Sequence, residues 1–207
     1  MFGSALPLAE RYADLLAGAG VERGLIGPRE TGRLWDRHLL NSAVMAEVLP
    51  HGGTVADVGS GAGLPGIPIA LARPDLHLVL VEPLKRRATF LDEVVDELDL
   101  ADRVQVVRLR AEDAVGTVSA DVVVSRALAP LARLVRWCLP LTTPSGHVAA
   151  LKGESAPAEI DRDLAEVEAA GGGAPDVVRC GVGVVDPAAT VVRVPRHGSS
   201  LDAPTSP

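Results

Sequence analysis

Four residues that can do chemistry stand in or directly after short apolar runs: Asp57 in TVADV, Glu82 after LHLVLV, Arg126 after ADVVVS and Lys152 after HVAAL. Asp57 opens the series Asp57-x-Gly59-x-Gly61-x-Gly63. Glycines lack a Cβ, so at every second position the main chain can pass close to a ligand. Charge separates the candidate ligands. A pyrophosphate calls for exposed N–H groups at a helix start and no carboxylate nearby, whereas a ligand with an ammonium group gains from Asp57, directly or through water. Glu82 can accept hydrogen bonds from two ribose hydroxyls, with a helix-capping carboxylate as the plainer alternative. Arg126 stands where an open α/β sheet carries its cleft, or else serves as a buried ion-pair partner. By the same logic Lys152 faces that side and can meet a nucleic-acid phosphate or a base.

Two established patterns overlay these glycines. Gly61-x-Gly63-x-x-Gly66, with Glu82 one strand later, matches the dinucleotide fingerprint. The alternate glycines behind Asp57 match the pattern of S-adenosylmethionine-dependent methyltransferases, and Asp57 favours the methyl donor. Pro65 sits where the following helix begins. No Ser-His-Asp, Cys-His or metal-ligand constellation is visible. Cys138 and Cys180 are read as buried, reduced thiols without a role.

The elements that must hold these residues follow from periodicity. Residues 5–18 and 29–48 repeat apolar side chains at helical spacing and form an N-terminal helical cap over residues 1–50. From residue 54 strands and helices alternate: TVADV, the helix IPIALA, LHLVLVE, and PLKRRATFLDEVVDEL with Leu84, Ala88, Leu91, Val95 and Leu98 on one face. RVQVVRL, ADVVVS, a helix near 129–139, HVAALKG, a helix near 156–170 and two strands near 176–184 and 189–195 complete the domain at 51–196. The alternation predicts a mostly parallel sheet covered on both faces, with an antiparallel hairpin at its edge. Residues 197–207 lack apolar periodicity and read as a disordered tail.

The 207 residues suit one α/β core, and 47% hydrophobic content with 2% aromatics leaves Val, Leu and Ala to fill it. Twenty basic residues against 27 acidic give a net charge of −7, which argues against a protein that coats nucleic acid and leaves room for a local basic patch. Only Lys85 and Lys152 are lysines. Neither a signal peptide nor a membrane span is visible, so a cytoplasmic location is expected, and no feature calls for more than a monomer.

Taken in order, GSGAGLPGIPIA, VEPLKRRATFL, RAED, SRALAPL and ALKG resemble the bacterial small-subunit rRNA guanine-N7 methyltransferase family, RsmG or GidB. The resemblance implies a class I methyltransferase fold, Rossmann-like, that uses S-adenosyl-L-methionine to methylate N7 of a guanine in the decoding region of 16S rRNA. It implies Gly59 and Leu64 in the donor's turn, Glu82 at its ribose, Ala111 and Glu112 around the adenine, and Arg126 between donor and guanine. It makes His38 and Asn41, in RLWDRHLLNS, candidates for positioning the RNA. Lys85 and Arg86, at a helix start beside the cleft, are candidates for a phosphate. Guanine N7 has a free lone pair and no proton to lose, so the absence of a general base fits. An NAD-dependent oxidoreductase and a non-catalytic RNA-binding or ribosome-assembly module stand as the rival readings.

Overall fold

The computed structural model describes residues 1–126 and 129–201. A single seven-stranded sheet carries the domain: β1 (Thr54–Val58), β2 (His77–Val81), β3 (Val104–Val107), β4 (Ala120–Arg126), β5 (Thr142–Lys152), β6 (Asp176–Cys180) and β7 (Ala189–Pro195), in the order β3-β2-β1-β4-β5-β7-β6. β1 pairs in parallel with both β2 and β4, so the strand order reverses there and the C-terminal ends of these strands open a crevice. The antiparallel hairpin is β6–β7, with β7 lying between β5 and β6. β6 ends at Cys180, earlier than residue 184, because Gly181 and Gly183 take positive φ and turn the chain away.

Alternate strand residues serve opposite faces. Val55, Leu78, Leu80, Val122, Val124 and Ala149 join one core with α1 (Leu6–Leu15), α3 (Gly66–Ala72) and α4 (Lys85–Glu97). Ala56, Val81, Val123, Val148 and Ala150 join the other with α5 (Leu131–Cys138) and α6 (Ala156–Ala169). This two-sided burial is why the strands read as near-continuous aliphatic runs. Both cysteines are buried free thiols, and burial pushes each thiol's pKa up.

The cap shares the first core through Tyr12, Leu16, Leu39 and Met45. Its second stretch is not one regular helix: a 3₁₀ segment (Pro28–Arg33), a π-type segment (Leu34–Leu40), the short α2 (Asn41–Ala43) and a further 3₁₀ segment (Val44–Val48) follow one another. Among the described residues no helix is long and apolar enough to cross a membrane.

Three local expectations need correction. Leu84 is 53% exposed because it is the N-cap of α4, and Phe90 and Val94 complete the buried face in its place. Pro65 is the N-cap of α3, one position before the first helical residue. The tail begins later than residue 197: the His197 N–H donates to the Gly171 carbonyl at 2.8 Å and the Ser199 hydroxyl to the Pro144 carbonyl at 3.2 Å. Residues 202–207 of that tail, and Ala127 and Leu128 of SRALAPL, lie outside the described residues.

Candidate active site

The turn after β1 is built around Asp57. Its side chain is fully buried, and Oδ2 accepts the Gly66 N–H at 2.9 Å, tying the strand to the start of α3. Oδ1 is buried without a hydrogen-bond partner. Burial pushes the Asp57 carboxyl up to about 7, against the lowering effect of the Gly66 N–H, the Ser60 hydroxyl and the Arg126 charge. An orphaned carboxylate oxygen is what an ammonium group would satisfy.

Gly59, Gly61 and Gly63 all adopt positive φ, so the expected bare turn exists as a backbone conformation. Gly63 also leaves no space, since a Cβ there would lie 2.7 Å from Ile67 Cγ1 and 2.9 Å from the Tyr12 hydroxyl oxygen. At Gly66 a Cβ would collide with Leu80 Cδ2 and lie 2.8 Å from Asp57 Oδ2. Gly66→Ala is therefore expected to destabilise the fold by about 1–3 kcal/mol through overpacking, read as a lowered urea midpoint with an unchanged slope. A midpoint equal to wild type would mean that the turn can yield.

Tyr12 is the chain's one tyrosine. It is buried, and its hydroxyl donates to the Ala62 carbonyl at 2.8 Å, so the cap braces the glycine turn from above. Sequence reading missed it, because a tyrosine on a helical apolar face reads as core.

Glu82 is 1% exposed. Oε2 accepts the Gly61 N–H at 3.0 Å and Oε1 accepts the Leu84 N–H at 2.9 Å, so the carboxylate joins the two crevice turns while lining a hollow of about 490 Å³ with Gly59, Arg87 and Leu109. A smaller hollow of about 180 Å³ adjoins it, sharing Gly59, Pro83, Leu109 and Arg110 and adding Ala111, Glu112 and Trp137. The expected donor residues Gly59, Glu82, Ala111 and Glu112 thus line one continuous depression. Leu64 is buried in the glycine turn.

Across the crevice lies a larger cleft of about 1000 Å³, whose lining includes Arg33, Arg37, Asn41, Arg126, Lys152 and Arg179. Its five cationic side chains share the lining with Asp36, Glu154, Glu159 and Asp186, so the cleft is mixed in charge. Arg126, at the end of β4, lines the cleft, and its charge acts on Asp57 and Tyr12. Burial lowers its pKa from the ordinary value, yet a guanidinium remains charged. His38 lies beside it, with Nδ1 2.9 Å from Arg126 Nη1. Asn41 lines the cleft with Oδ1 buried and unpartnered, an acceptor still to be satisfied.

Lys152 reaches the cleft, but its ammonium is engaged within the protein. Nζ donates to the Ala129 carbonyl at 2.8 Å and pairs with Glu159 at 3.0 Å, with the side chain 9% exposed. Lys85 and Arg86 are exposed at the start of α4 and do not line the Arg126 cleft; their neighbour Arg87 lines the Glu82 hollow. Arg196, directly after β7, is spent on the Leu139 and Thr142 carbonyls. Among the described residues no cluster of side chains suited to a metal ion occurs.

A family model described as rRNA small subunit methyltransferase G (GidB) matches residues 5–183, which takes in most of the cap, the glycine turn and Arg126. The chain belongs to this family. Among its relatives, the ribosomal RNA small subunit methyltransferase G of Salinispora arenicola is 58% identical over 203 residues, covering 95% of this chain and 84% of that protein. The protein of the same name from Thermobifida fusca is 54% identical, covering 94% and 81%. Distant solved structures repeat the fold. The TYW2 protein of M. jannaschii in complex with AdoMet superposes with a TM-score of 0.58 at 15% identity, covering 78% of this chain and 77% of that one. A predicted O-methyltransferase from Agrobacterium tumefaciens gives 0.57 at 20% identity, covering 79% and 86%. With the observed strand order, these likenesses establish the class I methyltransferase fold.

Proposed function

We propose that this chain methylates N7 of a guanine in the decoding region of 16S rRNA, with S-adenosyl-L-methionine as donor and the small ribosomal subunit or its rRNA as partner. The supporting observation is Arg126, which lines the large cleft at the end of β4 while its charge acts on Asp57 behind the glycine turn. The family's name supplies the substrate class; the guanine and its N7 rest on the motifs. In this reading residues 1–50 are the cap and 51–196 the methyltransferase domain, with residues 197–199 tied to it and the tail beginning after them, in a cytoplasmic monomer.

The residues fit the donor. Asp57 offers its unpartnered Oδ1 to the donor's ammonium, while Gly59, Gly61, Gly63 and Leu64 let the main chain approach. Glu82 faces the ribose hydroxyls, and Ala111 and Glu112 border the adenine. When bound, the donor supplies a methyl group on a sulfonium. The protein's own work is alignment, because guanine N7 has a lone pair and no proton to remove. Arg126 and Asn41 orient the base, Arg33, Arg37 and Arg179 meet phosphates, and exposed Lys85 and Arg86 extend the positive surface on the donor side. Lys152, bound to the Ala129 carbonyl, fixes the wall of the cleft.

The Asp57 carboxyl gives this reading a pH signature. Its folded pKa of about 7 stands above the ordinary 3.8, so between these values the folded form keeps a proton that the unfolded chain has lost. Its contribution to stability is complete below 3.8, declines as pH rises to about 7, and is flat above. Urea unfolding should show Asp57→Asn gaining on wild type from pH 5 to about pH 7 and no further beyond it. A gap independent of pH would remove Asp57 as a buried titrating group.

The functional test uses methyl-labelled donor and small subunits from cells lacking this protein, followed by nuclease digestion. Label in N7-methylguanosine at one rRNA site is expected. Label in another nucleoside would overturn the N7 assignment. Donor binding without transfer to particles or naked rRNA would overturn the enzyme reading in favour of an RNA-binding role, and binding of NAD in place of the donor would favour the oxidoreductase.

A further inference from the structure

His38 stands between two charges. Its Nε2 lies 3.0 Å from Glu30 Oε2 and its Nδ1 lies 2.9 Å from Arg126 Nη1, joining residues 88 positions apart in the chain. The chemistry of the partners fixes the proton. A guanidinium has only N–H donors, so Nδ1 must accept, and the single proton of a neutral imidazole must then sit on Nε2 and be donated to Glu30.

We propose that Glu30 and neutral His38 form a positioning relay that holds the Arg126 guanidinium at the mouth of the cleft, and that protonating His38 releases it. The proposal rests on the role given to Arg126 above. It changes what His38 does: His38 acts on the acceptor base through Arg126, as a positioning residue. Glu30 sets the tautomer as the carboxylates behind ligating or catalytic histidines do.

The charges around His38 support a neutral ring. Glu30 and Arg37 face it from the second helical stretch and Arg126 from the end of β4; Tyr12 of α1 and Asp57 of β1 lie behind Arg126. Burial, Arg126 and Arg37 favour the neutral ring and only Glu30 opposes them, leaving the His38 pKa below its ordinary 6.5. A protonated ring would turn an Nδ1–H toward the guanidinium, replacing a hydrogen bond with two opposed donors of like charge. The side chain is 13% exposed, so little water is available to screen that repulsion.

The first test is methyl transfer at saturating donor and RNA, followed from about pH 5 to about pH 8. Saturating donor removes effects of Asp57 on donor affinity from the profile. Wild type should lose rate below the ordinary histidine range. His38→Asn, whose Oδ1 can accept from Arg126 and cannot be protonated, should lose that acid limb and keep more of the neutral-pH rate than His38→Leu. Glu30→Gln, which removes the carboxylate that favours the charged ring, should move the limb to lower pH. A limb of the same position in wild type, His38→Asn and Glu30→Gln would overturn the relay.

Imidazole-nitrogen NMR on the same proteins decides the point without turnover. The relay requires a pyridine-type Nδ1 and a protonated Nε2, with the His38 pKa raised by Arg126→Leu and lowered by Glu30→Gln. The opposite tautomer, or a pKa that ignores both substitutions, would overturn it. Wild type that never transfers methyl at any pH would defeat the proposed function, while these NMR readings would still decide the relay.

Discussion

Arg126→Ala should slow methyl transfer by about 10²-fold in single turnovers at saturating RNA and donor, with a much smaller change in donor affinity. The reason lies in where charge moves. Methyl transfer takes positive charge off sulfur and places it on the base, so a cation beside N7 does not stabilise the product side. What an arginine can do is aim the base, by donating to guanine O6 or a neighbouring phosphate, and small errors of aim carry penalties of about this size. Arg126 suits that task because it is largely buried at a strand end and held from behind by His38. Arg126→Lys should recover only part of the rate, since a point charge lacks the planar fork. Loss of donor affinity of the same size, with the single-turnover rate intact, would instead make Arg126 a donor-holding group.

The features that could be read from the chain are those written in neighbouring residues. TVADV, LHLVLV and ADVVVS are aliphatic enough to be buried on both faces, so their place in a parallel sheet follows, and Asp57, Glu82 and Arg126 then stand at the strand ends. Alternate glycines announce the turn because positive φ at three nearby positions has a compositional trace. Contacts between distant segments leave no such trace. Nothing in ALPLAERYADLL says that the Tyr12 hydroxyl will reach the Ala62 carbonyl 50 residues on, and nothing near Lys152 says that Glu159 and the Ala129 carbonyl will claim its ammonium.

The cap shows a related limit. Spacing of three and four predicts helix over 29–48, but the successive 3₁₀ and π-type segments rotate the side chains away from an ideal 3.6-residue period. His38 falls within the π-type segment, and the partner that matters to it, Arg126, comes from β4. A helical wheel places His38 with Leu34, Asn41 and Met45 and is silent on that partner.

Glu82→Ala should weaken donor binding by about 100-fold, measured by calorimetry, which corresponds to roughly 3 kcal/mol. Two losses combine. The ribose hydroxyls lose a charged acceptor, and the Gly61 and Leu84 N–H groups lose the oxygens that hold the two crevice turns together. Glu82→Gln separates them, because its amide keeps one acceptor oxygen for a turn N–H but offers no carboxylate to a diol. A donor analogue lacking the ribose 2′-hydroxyl completes the cycle. It should bind wild type more weakly than the natural donor does, and the difference should nearly vanish in Glu82→Ala. If the difference survives the substitution undiminished, Glu82 serves the turns alone and another group of the hollow reads the ribose.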